Sequence, residues 1–309
     1  MTIFISFFLY FLKTTKIDLS ASIDPNIFSS YGSFVGGIVG PFFALAGVLL
    51  LRESLKVQEE AFMTQKIENK FFQLMSIAKE NSEQIRIRDK DGKRIFITLI
   101  RELYESYEVV KEFSQEAKLN IEQTINIAYL SFFYGAIGHV SETILKNLLK
   151  SQMNEIFIEK LLLKYKKRRE QIKKEKKFYY KVFDGHQSRL GHYYRHLYET
   201  IKYINNQPTQ RLSYEAKYQY IKFLRAQLST QEQLLLLWHS LSDIGKNWEK
   251  KWAQVDIDQA LITKYNLIKN IPQGFSKHIN NIRDYYPFVQ FEGDDKYPEG
   301  RRKIETKYC

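Results

Sequence analysis

The sequence feature that most constrains this chain is a run of 21 uncharged residues, YGSFVGGIVGPFFALAGVLLL, at residues 31–51. About 20 apolar residues in a helix are needed to cross the roughly 30 Å hydrocarbon core of a bilayer. A buried helix of a soluble domain is the alternative, but soluble domains rarely contain an uncharged run of this length. The run therefore predicts a transmembrane helix at 31–51.

Small residues recur every fourth position in this run, at Gly32, Gly36, Gly40 and Ala44. This spacing places them on one helical face, where a second helix can approach closely, as in a homo-oligomer. The preceding apolar segment, residues 1–12, is short for a membrane span. It could form a shortened first membrane helix that pairs with the helix at 31–51 as a two-helix hairpin. Since no Lys or Arg precedes it, a signal peptide is not favoured.

The charge distribution predicts the orientation of the chain. The chain has 47 Lys and Arg against 35 Asp and Glu, a net charge of +12. The four charges within residues 1–51 cancel, so the excess lies after the run. The positive-inside rule then places the C-terminal body in the cytoplasm. The residues that decide this are Arg52, Lys56, Lys66 and Lys70, against Lys13 and Lys16.

The remainder of the chain predicts an all-α fold. Apolar residues follow a helical period, and only 14 Gly and 6 Pro interrupt 309 residues. We expect a membrane anchor at 1–51, a helical stalk at 52–90, a helical domain at 91–286 and an irregular tail at 287–309. A first turn is expected at Asp91-Gly92. Helices are expected at 95–113, 121–150, 155–180, 193–204, 213–227, 230–251 and 256–270, and Ser229 with Glu232 resembles a capping box.

The single cysteine, Cys309, excludes a disulfide framework and a cysteine-based zinc site. The histidines show no metal-binding spacing, and there is no phosphate-binding loop or dinucleotide fingerprint. No metal and no cofactor is therefore expected.

Positive charge is concentrated at 160–181, a segment that contains eleven Lys or Arg and only two Glu. Such a segment is most often a solvated helix face. It could instead bind phosphates, either of anionic lipid headgroups or of RNA or DNA. The candidate anion-binding residues are Lys166, Lys167, Arg168, Arg169, Lys173, Lys174, Lys176 and Lys177.

One candidate for catalysis is RLGHYYRH, which runs from Arg189 to His196. It resembles the loose Arg-to-His pattern of HEPN ribonucleases, which use an Arg and a His without a metal. Leu190 stands where a polar residue often follows the Arg. The alternative is a helix with a buried Arg195–Glu199 pair and His192 as its hydrogen-bond partner, which would be structural or would shape a polar pocket. Its apolar stripe would consist of Tyr194, Leu197, Ile201 and Ile204.

Four blocks resemble the AbiC-like phage abortive infection family. They are the glycine-rich helix with ENKFFQLMSIAKEN, DGKRIFITLIREL, GHQSRLGHYYRHLYETIKYI, and YIKFLRAQLSTQEQLLLLWHSLSDIG. The last two are specific, although Tyr194 replaces the usual Phe. The motif residues are His192, Tyr193, Tyr194, Arg195, Leu197, Tyr198, Arg225, Gln227, Leu228, Ser229 and Glu232.

The resemblance implies a bacterial antiphage protein, anchored in the inner membrane, that responds to a phage-derived trigger and stops infection at the expense of the cell. It brings no catalytic residues. Three hypotheses remain open: a non-enzymatic effector that acts through the membrane, a membrane-tethered HEPN-like ribonuclease that uses Arg189 and His196, or a passive scaffold that recruits phage components to the membrane.

Overall fold

The computed structural model describes residues 24–88, 90–249, 259–272, 274–275, 278–279, 281–294, 298 and 301–308, with residues 6, 9, 10 and 13. The predicted short apolar segment at 1–12 lies outside the described residues except at positions 6, 9 and 10. The chain divides into two compact units, Met1–Lys66 and Ile67–Cys309.

The first unit contains the apolar run within nearly continuous helix. Helix α1 is Pro25–Phe34, a π-helical turn follows at Val35–Val39, and α2 is Gly40–Glu83. Asp24 caps α1 by accepting the N–H of Asn26 at 2.9 Å. The π turn directly precedes Pro41, whose ring crowds the carbonyl four residues earlier in an α-helix, so the wider turn relieves this contact.

Within the part of the chain that the structure describes, one helix is long and apolar enough to cross a membrane. It is the combined helix Pro25–Glu83, with a mean hydropathy of 2.3 over its most apolar window. None of that window is buried.

The second unit begins with the end of α2 and a two-stranded antiparallel hairpin. Strands β1, Arg86–Ile87, and β2, Lys90–Asp91, pair Arg86 with Asp91 and Ile87 with Lys90. The turn predicted at Asp91-Gly92 is confirmed, because Gly92 has a φ of +69° and ends the hairpin. A positive φ is a conformation that glycine adopts without steric cost.

Most of the remaining residues that the structure describes in the second unit are helical, which confirms the all-α prediction. Its helices are α3 Arg94–Ala117, α4 Ile121–Tyr134, α5 His139–Leu149, α6 Glu155–Lys174, α7 Gln187–Asn205, α8 Tyr214–Gln227, α9 Thr230–Ser240, α10 Leu261–Tyr265, α11 Ile282–Tyr285 and α12 Arg301–Tyr308.

Several helix boundaries differ from the prediction. The helix expected at 121–150 is two helices, because Gly135 and Gly138 adopt φ of +91° and +113°. A Cβ at Gly135 would lie 2.7 Å from the backbone of Asp184, so the backbone approach there requires glycine. The helix expected at 230–251 ends at Ser240, residues 250–258 are outside the description, and the expected irregular tail contains α12.

The core of this unit is built around α3. It packs against α4, α6 and α9, and α7 packs against α4 and α8. Nine of the eleven residues of α9 are buried. The apolar stripe predicted for α7 is confirmed, since Tyr194, Leu197, Ile201 and Ile204 are all buried.

Candidate functional site

Glu232 of the fourth motif block holds three helices together. Its Oε2 accepts the N–H and the hydroxyl of Ser229 at 2.8 and 2.7 Å, which confirms the predicted capping box. Its Oε1 accepts the hydroxyl of Ser82, near the end of α2, at 2.7 Å and that of Tyr193, on α7, at 3.2 Å. Glu232 is 1% exposed. This carboxylate therefore fixes residues 67–83 of α2 to the body.

The neighbouring motif residues stabilise the body. Buried Arg225 donates from Nη1 to the carbonyl oxygens of Tyr265 and Asn266 at 3.2 and 3.0 Å. The carbonyl of Gln227 accepts Lys93 Nζ at 2.7 Å, and Leu228 ends α8. Buried carbonyls need such partners, so these residues explain the packing of the motif.

A cleft of about 570 Å³ opens beside α7. Motif residues His192, Arg195 and Tyr198 line it, and Tyr194 and His239 are among its buried wall residues. Among the lining residues the structure describes, none is Asp or Glu. The lining consists of Phe133, Tyr134, Gln187, Ser188, Gly191, His192, Tyr194, Arg195, Tyr198, His239, Ile244, Asn247 and Trp248.

The sequence predicted a buried Arg195–Glu199 pair with His192 as its hydrogen-bond partner, which would be structural or would shape a polar pocket. The buried pair is wrong: all three residues are exposed, and the described residues show no ion pair between Arg195 and Glu199. Because α7 directs its apolar stripe into the core, its polar face is left at the surface. His192 and Arg195 border the cleft, but Glu199 does not line it.

His239 forms a rigid aromatic wall of the cleft. Its ring stacks on Tyr194 with centroids 4.0 Å apart and planes within 2°, and its Nδ1 lies 3.1 Å from the hydroxyl of Tyr129. Burial lowers the pKa of His239 to about 3. Because an efficient general acid or base needs a pKa near the working pH, neutral His239 is suited to packing and hydrogen bonding.

A second buried polar cluster surrounds Glu102 of α3. Its carboxylate accepts the N–H of Phe183 at 2.6 Å, His186 Nε2 at 2.9 Å and the hydroxyl of Tyr180. Burial alone would raise the pKa of Glu102, but the interactions with His186, Tyr180 and the Phe183 N–H outweigh it and hold the pKa below its ordinary value. The ionised carboxylate thereby fixes the connection between α6 and α7.

The two predicted catalytic residues do not line the cleft. Arg189 donates to the carbonyl oxygens of Arg86 and Gly185 at 3.0 and 3.3 Å, and its Nη1 lies 3.5 Å from His186 Nδ1. His196 is half-buried, two helical turns further along α7, a rise of about 10.5 Å. A catalytic role for this pair stays a prediction.

Half of the predicted anion-binding residues form ion pairs with the body itself. Lys166 pairs with Glu142 at 3.0 Å, Arg168 with Glu105 at 2.7 Å, Arg169 with Asp184, and Lys177 with Glu105. Lys167, Lys173, Lys174 and Lys176 are exposed and form no ion pair with the residues that the structure describes. Binding of anionic lipid or nucleic acid by these four lysines stays a prediction.

The small-residue face of the apolar run has no close neighbour among the described residues. A Cβ added at Gly32, Gly36 or Gly40 would meet no atom within 4 Å, and Ala44 is exposed. Its packing against another helix therefore stays a prediction. Over the described residues there is no group of three or more His, Cys, Asp or Glu that could hold a metal ion.

Sequence reasoning missed Glu102, His186, His239 and Trp248. The spacing of Glu102 could have indicated its burial, because it lies three residues after Leu99 and four before Ser106, on the buried stripe of α3. A charged residue on an apolar stripe needs a buried partner. The cleft gave no comparable signal, because its walls come from segments that are distant in the sequence.

Residues 185–276 match the family model described as "Putative phage abortive infection protein". The match contains both specific motif blocks and eleven of the thirteen residues that line the cleft, all except Phe133 and Tyr134. No curated protein and no solved structure matches the chain significantly. Residues 185–276 are thus similar to the family of putative phage abortive infection proteins.

Proposed function

We propose that this chain is a membrane-anchored abortive infection effector of a bacterium, located in the inner membrane with its C-terminal body in the cytoplasm. It acts through the membrane and not by enzymatic catalysis. The family match supports the antiphage role. The charge that follows the apolar run supports the orientation.

The exposure of the apolar run carries the membrane proposal. Phe42, Phe43, Leu45, Val48 and Leu50 are 57–73% exposed, although each is a large apolar side chain. Removing such surface from water contributes about 25 cal/mol per Å². A helix that is apolar on every side, with its side chains exposed among the described residues, is suited to lipid.

The continuity of α2 offers a route from the body to the membrane helix. Residues 40–83 form one continuous helix, which contains the second half of the apolar run and Ser82. A trigger that changes the contacts of Glu232 would act on the end of this helix. Small-residue faces allow close helix packing, and a change of packing in a homo-oligomer would open a leak.

A pair of arginine substitutions tests the anchor. Leu45 and Leu55 are equally exposed, at 57% and 56%, but only Leu45 lies in the uncharged run. Placing Arg at the centre of a membrane helix costs about 2.5–3.5 kcal/mol. We expect Leu45→Arg to reduce the fraction that stays in carbonate-washed membranes, whereas Leu55→Arg stays bound. Equal retention of both variants would contradict the proposal.

A glycine series tests the action through the membrane. Gly36→Leu combined with Gly40→Leu fills the small-residue face, whereas Gly37→Leu adds the same side chain about a quarter turn away. We expect the double variant to lose phage protection and the collapse of membrane potential on infection, while Gly37→Leu and His196→Ala keep both. Protection that fails only in His196→Ala, with RNA cleaved in infected wild-type cells, would favour the ribonuclease hypothesis instead.

A further inference from the structure

The cleft beside α7 has the composition of a ligand site, and the membrane function does not use it. Its volume of about 570 Å³ lies within the range of roughly 300–1,000 Å³ that is typical of small-molecule pockets. We propose that this cleft binds a nucleotide, with the base among the aromatic side chains and the phosphate at Arg195 and His192.

The charge of the cleft fits an anionic ligand. Among the described residues, the lining contains Arg195 and His192 but no Asp or Glu. Arg195 is exposed and has no carboxylate partner within the part of the chain that the structure describes. A guanidinium that is not neutralised by its own chain presents a planar set of N–H donors suited to phosphate.

The walls of the cleft fit a nucleobase. Tyr134 and Tyr198 are half-buried rings at its surface, and Tyr198 contacts Trp248 edge-on with centroids 5.2 Å apart. Every nucleobase can stack on such aromatic side chains. The amides of Gln187 and Asn247 provide both donors and acceptors for base edges.

The aromatic wall is already held in place without a ligand. The stacked Tyr194 and His239 rings are fixed by burial, and a Cβ at Gly245 would lie 1.9 Å from the carbonyl oxygen of His239. Glycine at 245 therefore lets the turn after α9 close, which brings Asn247 and Trp248 to the cleft. A preformed site loses less conformational freedom on binding.

The same chemistry could come from a free nucleotide or from a nucleotide unit of single-stranded RNA. The cleft and Glu232 share α7, because Tyr194 lines the cleft while the adjacent Tyr193 donates to Glu232. A bound nucleotide would thus contact the helix that helps to hold α2. The binding proposal itself does not depend on the membrane function.

The test is calorimetric titration of the full chain in detergent with AMP, GMP, CMP and UMP, with the matching nucleosides, and with a single-stranded RNA hexamer. Arg195→Gln removes the proposed phosphate contact, and Tyr198→Leu removes a ring. The control is Arg211→Gln, at an exposed arginine that does not line the cleft. Melting temperatures would confirm that all variants are folded.

We expect at least one mononucleotide or the hexamer to bind the wild type. Arg195→Gln should weaken that binding about tenfold, as expected for loss of a charge-assisted hydrogen bond. Its affinity for nucleosides should stay within about twofold. Tyr198→Leu should weaken both ligand types, and Arg211→Gln neither. Preference for mononucleotide or hexamer would identify the source. Absence of binding to the wild type, or equal binding by Arg195→Gln, would overturn the proposal while leaving the membrane proposal standing.

Discussion

Two apolar helical segments of this protein have opposite surroundings. The run at 31–51 is exposed along nearly its whole length, whereas nine of the eleven residues of α9, TQEQLLLLWHS, are buried in the body. Both are rich in leucine and other large apolar side chains. Hydrophobicity thus indicates that both segments leave water, but it does not tell which surroundings receive them.

The polar residues separate the two cases. In α9, Gln233 accepts the N–H of Asn270 at 3.0 Å, and the hydroxyl of Ser240 lies 2.6 Å from that of Tyr286. Glu232 and His239 are bonded within the same body. These groups need protein partners because burial without a hydrogen bond costs free energy. The run at 31–51 carries no charged group that needs one, which suits a lipid environment.

The largest expected effect comes from removing a buried carboxylate that accepts hydrogen bonds from several other groups of the body. Glu102→Ala takes away a fully buried carboxylate and leaves His186, Tyr180 and the Phe183 N–H without their acceptor. Breaking a buried pair costs about 3–5 kcal/mol. We expect this loss in the free energy of unfolding of the body, measured by urea titration with tryptophan fluorescence, and no change in membrane retention.

Glu105→Ala is the matched control for that substitution. Glu105 lies on the same helix, but its partners Arg168 and Lys177 have side chains 28% and 44% exposed, so water can solvate them after the change. Although Glu105 itself is buried, pairs in which water reaches one partner contribute less than fully buried ones, so we expect a smaller loss than for Glu102→Ala. An equal loss for both variants would show that the buried cluster is not what holds the connection between α6 and α7.

A smaller effect tests the two apolar segments directly. Leu236 in α9 is 0% exposed, whereas Leu49 in the run is 55% exposed. Leu→Ala in a packed core costs about 2–5 kcal/mol, because apolar contacts are lost and a cavity remains. We expect this loss for Leu236→Ala, and less than about 0.5 kcal/mol for Leu49→Ala, in the same urea titration. A comparable loss for Leu49→Ala would mean that the run packs on the body after all.

Local signals made part of the structure predictable from the sequence. The turn at Gly92, the cap at Ser229 and the apolar stripe of α7 each depend on residues within a few positions of one another. The uncharged run is likewise read from contiguous residues. The single helix predicted at 121–150 is interrupted at Gly135, where the backbone approaches the distant Asp184, and the helix predicted at 230–251 ends early, at Ser240.

Distant contacts made the sites unpredictable. Glu102 and His186 are 84 residues apart, and the cleft joins the end of α4 to α7 and the turn after α9. The basic segment shows the same limit, because a count of charges along 160–181 does not include Glu105 and Glu142 from other helices. Once those pairs form, the free positive charge is confined to fewer lysines.

The smallest expected effect is a dependence on pH that belongs to the body alone. Residues 31–51 contain no group that titrates between pH 5 and 8, so membrane retention should not vary there. In the body, burial lowers the pKa of His239 from 6.5 to about 3. Burial raises the pKa of Glu249 from 4.5 to about 7, although hydrogen bonds from Thr263 partly oppose this.

These two shifts act on stability with opposite signs. Below pH 6.5 the unfolded chain binds a proton at His239 that the folded chain does not, so stability falls as the pH falls. Between pH 7 and 4.5 the folded chain binds a proton at Glu249 that the unfolded chain does not, so stability rises as the pH falls. Over the shared window the two contributions offset each other, and the wild type should show a shallow profile.

Substituting either residue should uncover the contribution of the other. We expect His239→Phe, which keeps a ring beside Tyr194, to gain up to about 1.4 kcal/mol relative to wild type on going from pH 8 to pH 5.5. Glu249→Gln should lose up to about 2 kcal/mol over the same interval. The measurement is the free energy of unfolding in detergent at each pH. A substitution that costs the same free energy at every pH shifts the whole profile but leaves its slope against pH unchanged. Parallel profiles for all three proteins would mean that neither group is held in its shifted state, and that α9 tolerates a charged His239 despite its burial.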